Sequence, residues 1–339
     1  MNTLRRGLLT FAGASEGLRS RSIWVFSVTL SLFLLGLLLA VADIQNVTTS
    51  LRSIDPILLG ISGLFLVVTN VFHAARLGLL LRDRVVSTWW TRLKITLRYG
   101  LYVALFPARL GEVAYIVRLK KDFGLRPSEG LALTVQQRLL DVVVLGAVSV
   151  LAGVGLFRQD EPRALLALMG IALFVGAILV ALQLPSFLTW VAVFMKERSF
   201  GRSGRGRRLI LGTLRARRWM RISRVSSSVP RLVGFTAAEW VANICAIAVA
   251  VAAVSVQLSA LQLVVVAVGA VLASALPLQT VGGIGVAEMA MTGSLVTFGV
   301  GFDEAILAAV VMRGLLLGVP VLLWLFTLSP PRALRKEVS

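Results

Sequence analysis

The chain has 339 residues, of which 57% are hydrophobic and only 15% carry a charged side chain. A water-soluble domain cannot bury that much apolar surface, so the composition indicates a polytopic membrane protein. Most of the net charge of +19 falls in a few connecting loops, which is typical of loops retained in the cytoplasm and does not indicate nucleic-acid binding.

Apolar runs predict about six full transmembrane helices in an all-α protein with one transmembrane domain, residues 1–339. The first run is too long for the apolar core of a signal peptide, so we expect it to be retained as a helix. The predicted spans are 22–43, 57–81, 129–157, 163–190, 232–256 and 304–328.

Two further apolar segments, 99–117 and 260–300, are interrupted by Pro and Gly and predict broken helical hairpins. The first has basic residues on both sides, so we expect a re-entrant loop that enters from the cytoplasm. The second should leave from and return to the outer face, as a re-entrant pair of half-helices or as a short two-helix hairpin; the sequence leaves both open.

The charge bias also predicts the topology, because basic loops stay in the cytoplasm. Both termini should then be cytoplasmic, and the two halves of the chain, 22–157 and 163–328, should have opposite orientations. Such inverted repeats are common in secondary transporters. The stretches predicted to be cytoplasmic are 1–21, 82–98, 118–126, 191–231 and 329–339.

The loop 191–231 has twelve basic residues and one acidic residue, Glu197. Within it, residues 202–224 mix arginine with apolar residues such as Leu209 and Trp219. This mixture predicts an interfacial amphipathic segment on an anionic leaflet, with about 1 kcal/mol of attraction for each basic residue.

The two hairpins contain similar helix-breaking motifs, Pro107-Ala-Arg109-Leu-Gly111-Glu112 and Gly282-Gly283-Ile-Gly285-Val-Ala-Glu288. Each glutamate is followed about 25 residues later by an intramembrane arginine. Unwound backbone at this depth lines a cavity or is buried in protein, and helix N-termini bind phosphate. The residues predicted to bind substrate are Arg109, Gly111, Glu112, Arg138, Asp141, Gly282, Gly283, Gly285, Glu288 and Arg313.

Two structural alternatives apply to these residues. The glycines could only allow close helix packing. The charged residues could be ion pairs that hold each hairpin to the next helix, with Arg138 and Asp141 pairing with each other or with Glu112, and Arg313 with Glu288. One residue could serve in both roles.

Polar stripes on two other helices are candidates for lining a cavity. Asn70, His73 and Arg76 recur every three residues on one predicted span, and Glu239 and Asn243 lie one turn apart on another. The alternative is that these side chains form hydrogen bonds within the packed bundle.

The residue types present favour no enzyme chemistry. Cys245 is the single cysteine and His73 the single histidine, which leaves too few ligands for a zinc hydrolase motif and excludes an intrachain disulfide. We therefore expect no catalytic residues, no metal and no cofactor.

Three motifs in order resemble the lysylphosphatidylglycerol synthase transmembrane-region family: 107–112, Gln137-Arg138-Leu-Leu-Asp141, and 282–288. Gln137 stands where the family often has Glu, and Val281 where it often has Pro. The family consists of flippase-like proteins and includes the membrane half of bacterial multiple-peptide-resistance factors. The resemblance implies translocation of a lipid across a bacterial cytoplasmic membrane.

The family's synthetase members carry a separate soluble aminoacyl-transfer domain. This sequence ends about ten residues after the last predicted helix, so we expect that it does not aminoacylate lipids.

The leading hypothesis is a flippase for an anionic or aminoacylated phospholipid or a polyprenyl-linked precursor, whose phosphate is held by the arginines. One alternative is an intramembrane enzyme acting on a lipid phosphate. Another is a non-transporting partner of a cell-envelope glycosyltransferase or lipid-modifying enzyme. Homo-oligomerisation remains open.

Overall fold

The computed structural model describes residues 54–81, 85–105, 110–156, 210–218, 229–275 and 286–328, with isolated residues between 175 and 194. These parts of the chain are helical and contain no strand. The helices are α1 (Pro56–Leu81), α2 (Trp89–Leu105), α3 (Leu110–Phe123), α4 (Pro127–Leu156), α5 (210–218), α6 (Val229–Ala253), α7 (Ala260–Ala275), α8 (Val286–Thr297) and α9 (Phe302–Leu328).

Four of these helices, α1, α4, α6 and α9, are long and apolar enough to cross a membrane. They confirm four of the six predicted spans, and each begins and ends within about three residues of the expected positions. The predicted span 22–43 lies outside the described residues, and so does most of 163–190.

The two hairpin regions each contain a pair of short helices that pack against each other, α2 with α3 and α7 with α8. Their lengths of 17, 14, 16 and 12 residues correspond to about 26, 21, 24 and 18 Å. These described lengths are shorter than the roughly 30 Å hydrocarbon core of a bilayer. The connections at 106–109 and 276–285 lie outside the described residues.

The first hairpin begins earlier than the sequence predicted. Residues 89–98, predicted as a basic loop, form the first turns of α2. Arg92 and Lys94 lie over the rings of Trp89 and Trp90, at 5.6 and 5.5 Å from the ring centres. Basic residues mark where the chain reaches the polar interface, and a helix can continue through that interface. The charge pattern therefore placed the start of this arm too late.

Side-chain caps define where several helices begin. Asp55 accepts a 2.8 Å hydrogen bond from the Ile57 N–H at the start of α1, and Thr88 accepts one of 3.2 Å at the start of α2. Glu129 accepts a 2.9 Å bond from the Arg126 N–H before α4, and Ser259 with Gln262 forms a reciprocal cap on α7. Capped ends of this kind satisfy the backbone groups that a helix leaves unpaired.

The second arm of each hairpin ends at a left-handed glycine. Gly124 follows α3 with φ of 67°, and Gly299 follows α8 with φ of 84°. Only glycine adopts this conformation without steric cost, and it is the usual way to end a helix and redirect the chain. Both arms then lead within a few residues into a long helix, α4 or α9.

The long helices α1 and α6 form the largest helix–helix contact in the described structure, and they are antiparallel. The Asp55 N–H donates to the Ala253 carbonyl at 3.1 Å, and the Ser62 hydroxyl donates to the Ala246 carbonyl at 2.7 Å. Ala246 and Ala250 are fully buried. Small residues spaced four apart allow two membrane helices to approach closely.

The remaining contacts follow a paired pattern. The hairpin helix α2 packs against α1 and α9, and the hairpin helix α7 packs against α6 and α4. In the same way α9 contacts α1, and α4 contacts α6. Each hairpin therefore packs between the central pair and the long helix that follows the other hairpin.

Two apolar cores lie at opposite ends of the α1–α6 pair. One contains Leu66 together with Ala246 and its neighbours, and the other contains Leu77, Leu81 and Leu232. Because the segments between these positions carry the charged residues of α1 and α6, a polar layer lies between two hydrophobic clusters.

Candidate functional site

The centre of the polar layer is Arg76, a fully buried guanidinium on α1. Its side chain forms an ion pair with Asp141 of α4, and its Nε lies 3.3 Å from Glu239 Oε2 of α6. A buried charge is tolerated only when it is paired and hydrogen-bonded, so this arginine requires both carboxylates.

His73 lies one turn before Arg76 and contacts the same glutamate. Its Nδ1 is 2.8 Å from Glu239 Oε1, and Arg76 Nη2 is 3.3 Å from the same nitrogen. The imidazole also stacks on the Tyr99 ring of α2, with 5.7 Å between ring centres. His73 therefore links the central helix pair to the first hairpin.

Arg138 is the most accessible member of the cluster, with 48% of its side chain exposed. It donates to Glu112 of α3 at 3.0 Å and to the Tyr99 hydroxyl at 2.8 Å. Asp141, on its own helix, lies 4.0 Å away. The two carboxylates and the hydroxyl hold this guanidinium in place, while about half of the Arg138 side chain stays free to contact another group.

Two further side chains from α6 fix the orientation of the buried ions. The Trp240 Nε1–H donates to Asp141 at 3.2 Å, and Arg76 donates to the Thr236 hydroxyl at 3.4 Å. These contacts give Arg76 and Asp141 further hydrogen-bond partners, which lowers the cost of burying them.

The cluster lies deep along the membrane-spanning helices. Arg138 is eleven residues, or about 16 Å, from the start of α4 at Pro127. Glu239 is ten residues, or about 15 Å, from the start of α6 at Val229. Each distance is about half of the hydrocarbon thickness.

A separate ion pair lies in the second half of the chain. Glu288, at the start of α8, pairs with Arg313 in the middle of α9, and the glutamate is buried. The sequence predicted this pairing, and it predicted the Glu112–Arg138 pair as one of its alternatives. In both halves a hairpin glutamate thus contacts an arginine on the following long helix.

The other predicted site residues have more varied surroundings. The Asn70 amide donates to the Leu66 carbonyl of its own helix at 2.8 Å. Gly111 lies against the backbone of α2, so a Cβ at this position would be 2.7 Å from the Val103 nitrogen. Close packing is therefore one role of Gly111. Asn243 is partly buried on α6, while Arg109, Gly282, Gly283 and Gly285 lie outside the described residues.

Sequence reasoning missed the connection between the two polar stripes. The stripe of α1 and that of α6 were identified separately, and the structure joins them through Glu239, which contacts both His73 and Arg76. Tyr99 was also missed, because it was taken as the first residue of the broken segment 99–117 and given no role of its own. The stripe spacing shows which face of a helix is polar but does not identify the helix it faces.

The chemistry available at this cluster is that of anion binding. A planar guanidinium with free N–H groups matches the oxygen atoms of a phosphate, and a low-dielectric surrounding strengthens that contact. Arg138 has both the exposed surface and the fixed orientation that such binding needs.

Comparison with known proteins agrees with the motifs. A search of curated proteins gave no significant match. The family profile described as the lysylphosphatidylglycerol synthase TM region matches residues 24–323, which is most of the chain. The protein therefore belongs to the lysylphosphatidylglycerol synthase transmembrane-region family, a lipid-related family of multi-pass membrane proteins.

Proposed function

We propose that this protein is a lipid transporter that moves a phosphate-bearing lipid between the leaflets of a bacterial cytoplasmic membrane. The observation that carries the proposal is that the side chain of Arg138 is half exposed at about mid-membrane depth. A charge at that depth is costly, and such residues usually face a polar pathway or a binding site. Glu112 and Tyr99 orient it for a ligand.

We further propose that the two halves are inverted repeats related by a pseudo-two-fold axis. The helices α1 to α4 have 26, 17, 14 and 30 residues, and α6 to α9 have 25, 16, 12 and 27. Glu112 and Glu288 each stand third in a hairpin helix, and Arg138 and Arg313 each stand twelfth in the next helix. The paired helix contacts also support this proposal.

In this arrangement the first hairpin opens to the cytoplasm, the second opens to the outside, and both termini are cytoplasmic. Alternating access would then come from rocking one half against the other around the polar layer. The basic residues at the cytoplasmic ends support this orientation.

The basic segment 202–224 would rest on the anionic cytoplasmic leaflet. Within it, one face of α5 is exposed and carries Leu211, Leu214, Arg215 and Arg218. Ala216, in the same helix, is buried in the apolar core that contains Leu77 and Leu232. Exposed leucine and arginine on one face match an interfacial helix, whose apolar side chains enter the headgroup region while the cations contact anionic lipids.

The substrate class is a lipid whose head group contains phosphate: an anionic or aminoacylated phospholipid, or a polyprenyl-linked precursor. The protein's own part is to bind and move the lipid, and we propose that no bond of the lipid is made or broken. The arginines then act as a temporary substitute for the water that solvates the phosphate outside the membrane.

The test is transbilayer movement of fluorescent lipids in liposomes that contain the purified protein. Arg138→Ala removes the proposed phosphate contact and should slow movement by about 10- to 100-fold, the equivalent of 1.5–3 kcal/mol for a charged hydrogen bond. Arg98→Ala is the matched control, because Arg98 pairs with Asp122 at 3.6 Å outside the cluster. Equal rates for the two variants would remove Arg138 from the mechanism.

The same assay separates the alternatives. A folded wild-type protein that moves none of the three lipid classes would contradict transport and favour the role of a non-transporting partner. A lipid recovered with altered covalent structure would favour the enzyme. Lipid that moves chemically unchanged supports the transporter.

A further inference from the structure

The central cluster contains an unequal number of charged groups. Among the residues that the structure describes, the cluster has three carboxylates and two guanidinium groups, and His73 is the only other readily ionised member of this described set. The carboxylates are Glu112, Asp141 and Glu239, and the guanidinium groups are Arg76 and Arg138.

The charge of the cluster therefore depends on His73. With a neutral imidazole the five other described groups sum to a charge of −1, and with an imidazolium the six described groups sum to zero. An uncompensated charge in a low-dielectric interior is costly, so the balanced form is favoured. Histidine is also the one side chain whose ordinary ionisation falls between pH 5 and 8.

The geometry identifies the nitrogen that exchanges the proton. Nδ1 is 2.8 Å from Glu239 Oε1, and because a carboxylate oxygen only accepts, Nδ1 is the donor of this hydrogen bond. Nε2 is buried and has no protein hydrogen-bond partner among the described residues. Because Nδ1 carries the hydrogen of the neutral ring, Nε2 carries the lone pair and is the ring atom that can take up a second proton.

We propose that His73 binds the proton whose movement is coupled to lipid transport, an inference that rests on the proposed function. A proton from the aqueous phase attaches to the Nε2 lone pair and gives the imidazolium. A lipid phosphate that contacts Arg138 adds negative charge to the same cluster, so proton and phosphate binding favour each other. By linkage this coupling is reciprocal.

The coupling has a short physical route. The His73 ring stacks on Tyr99, whose hydroxyl accepts the 2.8 Å hydrogen bond from Arg138. A second route runs from Glu239 through Arg76 to Asp141, which lies 4.0 Å from Arg138. Phosphate binding at Arg138 and protonation of His73 therefore affect the same connected side chains.

Several of the described helices place polar or charged groups near His73. Its own helix α1 supplies Arg76, α6 supplies Glu239, and α2 supplies Tyr99. The helices α3 and α4 supply a second set of groups, which are connected to one another around Arg138. The charge of Arg313 on α9 is paired with Glu288 of α8. The members of that second set are Arg138, Asp141, Glu112 and Tyr115.

The first experiment observes the proton directly and does not depend on transport. His73 is the only histidine of the 339 residues, so nitrogen-15 histidine labelling of a protein without a polyhistidine tag gives one ring, measured by NMR in nanodiscs. We expect a doubly protonated ring at pH 5.5 and a singly protonated ring at pH 8.5. A ring with the same protonation at both values overturns the inference.

Two variants sharpen this measurement. Glu239→Gln removes the carboxylate next to Nδ1, and the doubly protonated fraction at an intermediate pH should fall relative to the wild type. Thr69→Val is the control, since the Thr69 hydroxyl donates to the Phe65 carbonyl of its own helix at 3.0 Å, one turn before His73. A fall of equal size in the control overturns the assignment, and the wild-type titration remains decisive if Glu239→Gln does not fold.

The second experiment measures coupling in liposomes. For one proton moved per lipid, a pH difference of one unit should change the ratio of lipid in the two leaflets by up to about tenfold. His73→Gln should give a ratio near one. If the leaflet ratio of the wild type stays near one while lipid still exchanges at the full rate, proton coupling is contradicted and lipid transport is not. If no lipid exchanges at all, the proposed transport function is itself contradicted.

Discussion

Two carboxylates of the cluster, Asp141 and Glu112, should differ sharply in what they contribute to stability. Asp141→Ala leaves the fully buried Arg76 with one carboxylate partner and also removes the acceptor of the Trp240 N–H. Removing one partner of a buried ion pair costs about 3–5 kcal/mol. Glu112→Ala instead removes one partner of Arg138, whose side chain is already 48% exposed and keeps its hydrogen bond to Tyr99, and should cost about 1 kcal/mol or less.

The difference of about 2–4 kcal/mol corresponds to a factor of about 30 to 1,000 in the unfolding equilibrium. It can be measured by denaturant unfolding in mixed micelles, followed by tryptophan fluorescence. The expected order of stability is wild type, then Glu112→Ala, then Asp141→Ala well below both. Equal losses for the two variants would mean that Arg76 is solvated, and the description of the cluster as buried around it would be wrong.

Three further substitutions test separate features. Gly111→Ala should lower the free energy of unfolding by about 1–3 kcal/mol, because the added methyl group would overlap the α2 backbone. The matched Gly100→Ala has room for the methyl group and should be as stable as the wild type. Equal unfolding midpoints for the two variants would contradict the close contact at Gly111. Tyr99→Phe should slow lipid movement by about tenfold, because it removes a hydrogen bond to Arg138 worth about 1.5 kcal/mol, and an unchanged rate would mean that this bond does not orient the guanidinium. Arg215→Gln in α5 should make the thermal midpoint in nanodiscs less sensitive to the content of anionic lipid, and an unaltered sensitivity would place α5 away from the leaflet surface.

The transmembrane helices could be predicted because their signal is local. A run of apolar residues of the length of α1 or α9 needs no knowledge of the rest of the fold to be recognised. The pairing of Glu288 with Arg313 was also within reach, since both lie next to the same hairpin and a charge at that depth requires a near partner.

The pairing of Arg76 with Asp141 and Glu239 was not within reach. It joins three helices that are far apart in the sequence, and which of them meet is decided by packing of apolar and small residues along their whole length. The start of α2 was misplaced for a related reason. The basic residues there indicate an interface with water and do not show whether the backbone is helical.

The order in which the partners of Arg76 are synthesised affects how the protein must be assembled. Asp141 follows Arg76 by 65 residues, and Glu239 follows it by 163. At 5–20 residues per second the second partner is made about 8–30 s after the arginine. A lone arginine within a bilayer costs about 2.5–3.5 kcal/mol on insertion scales. During biosynthesis α1 must therefore stay at the translocon until α4 and α6 have been inserted, or lie in the membrane with the Arg76 side chain extended toward the lipid head groups.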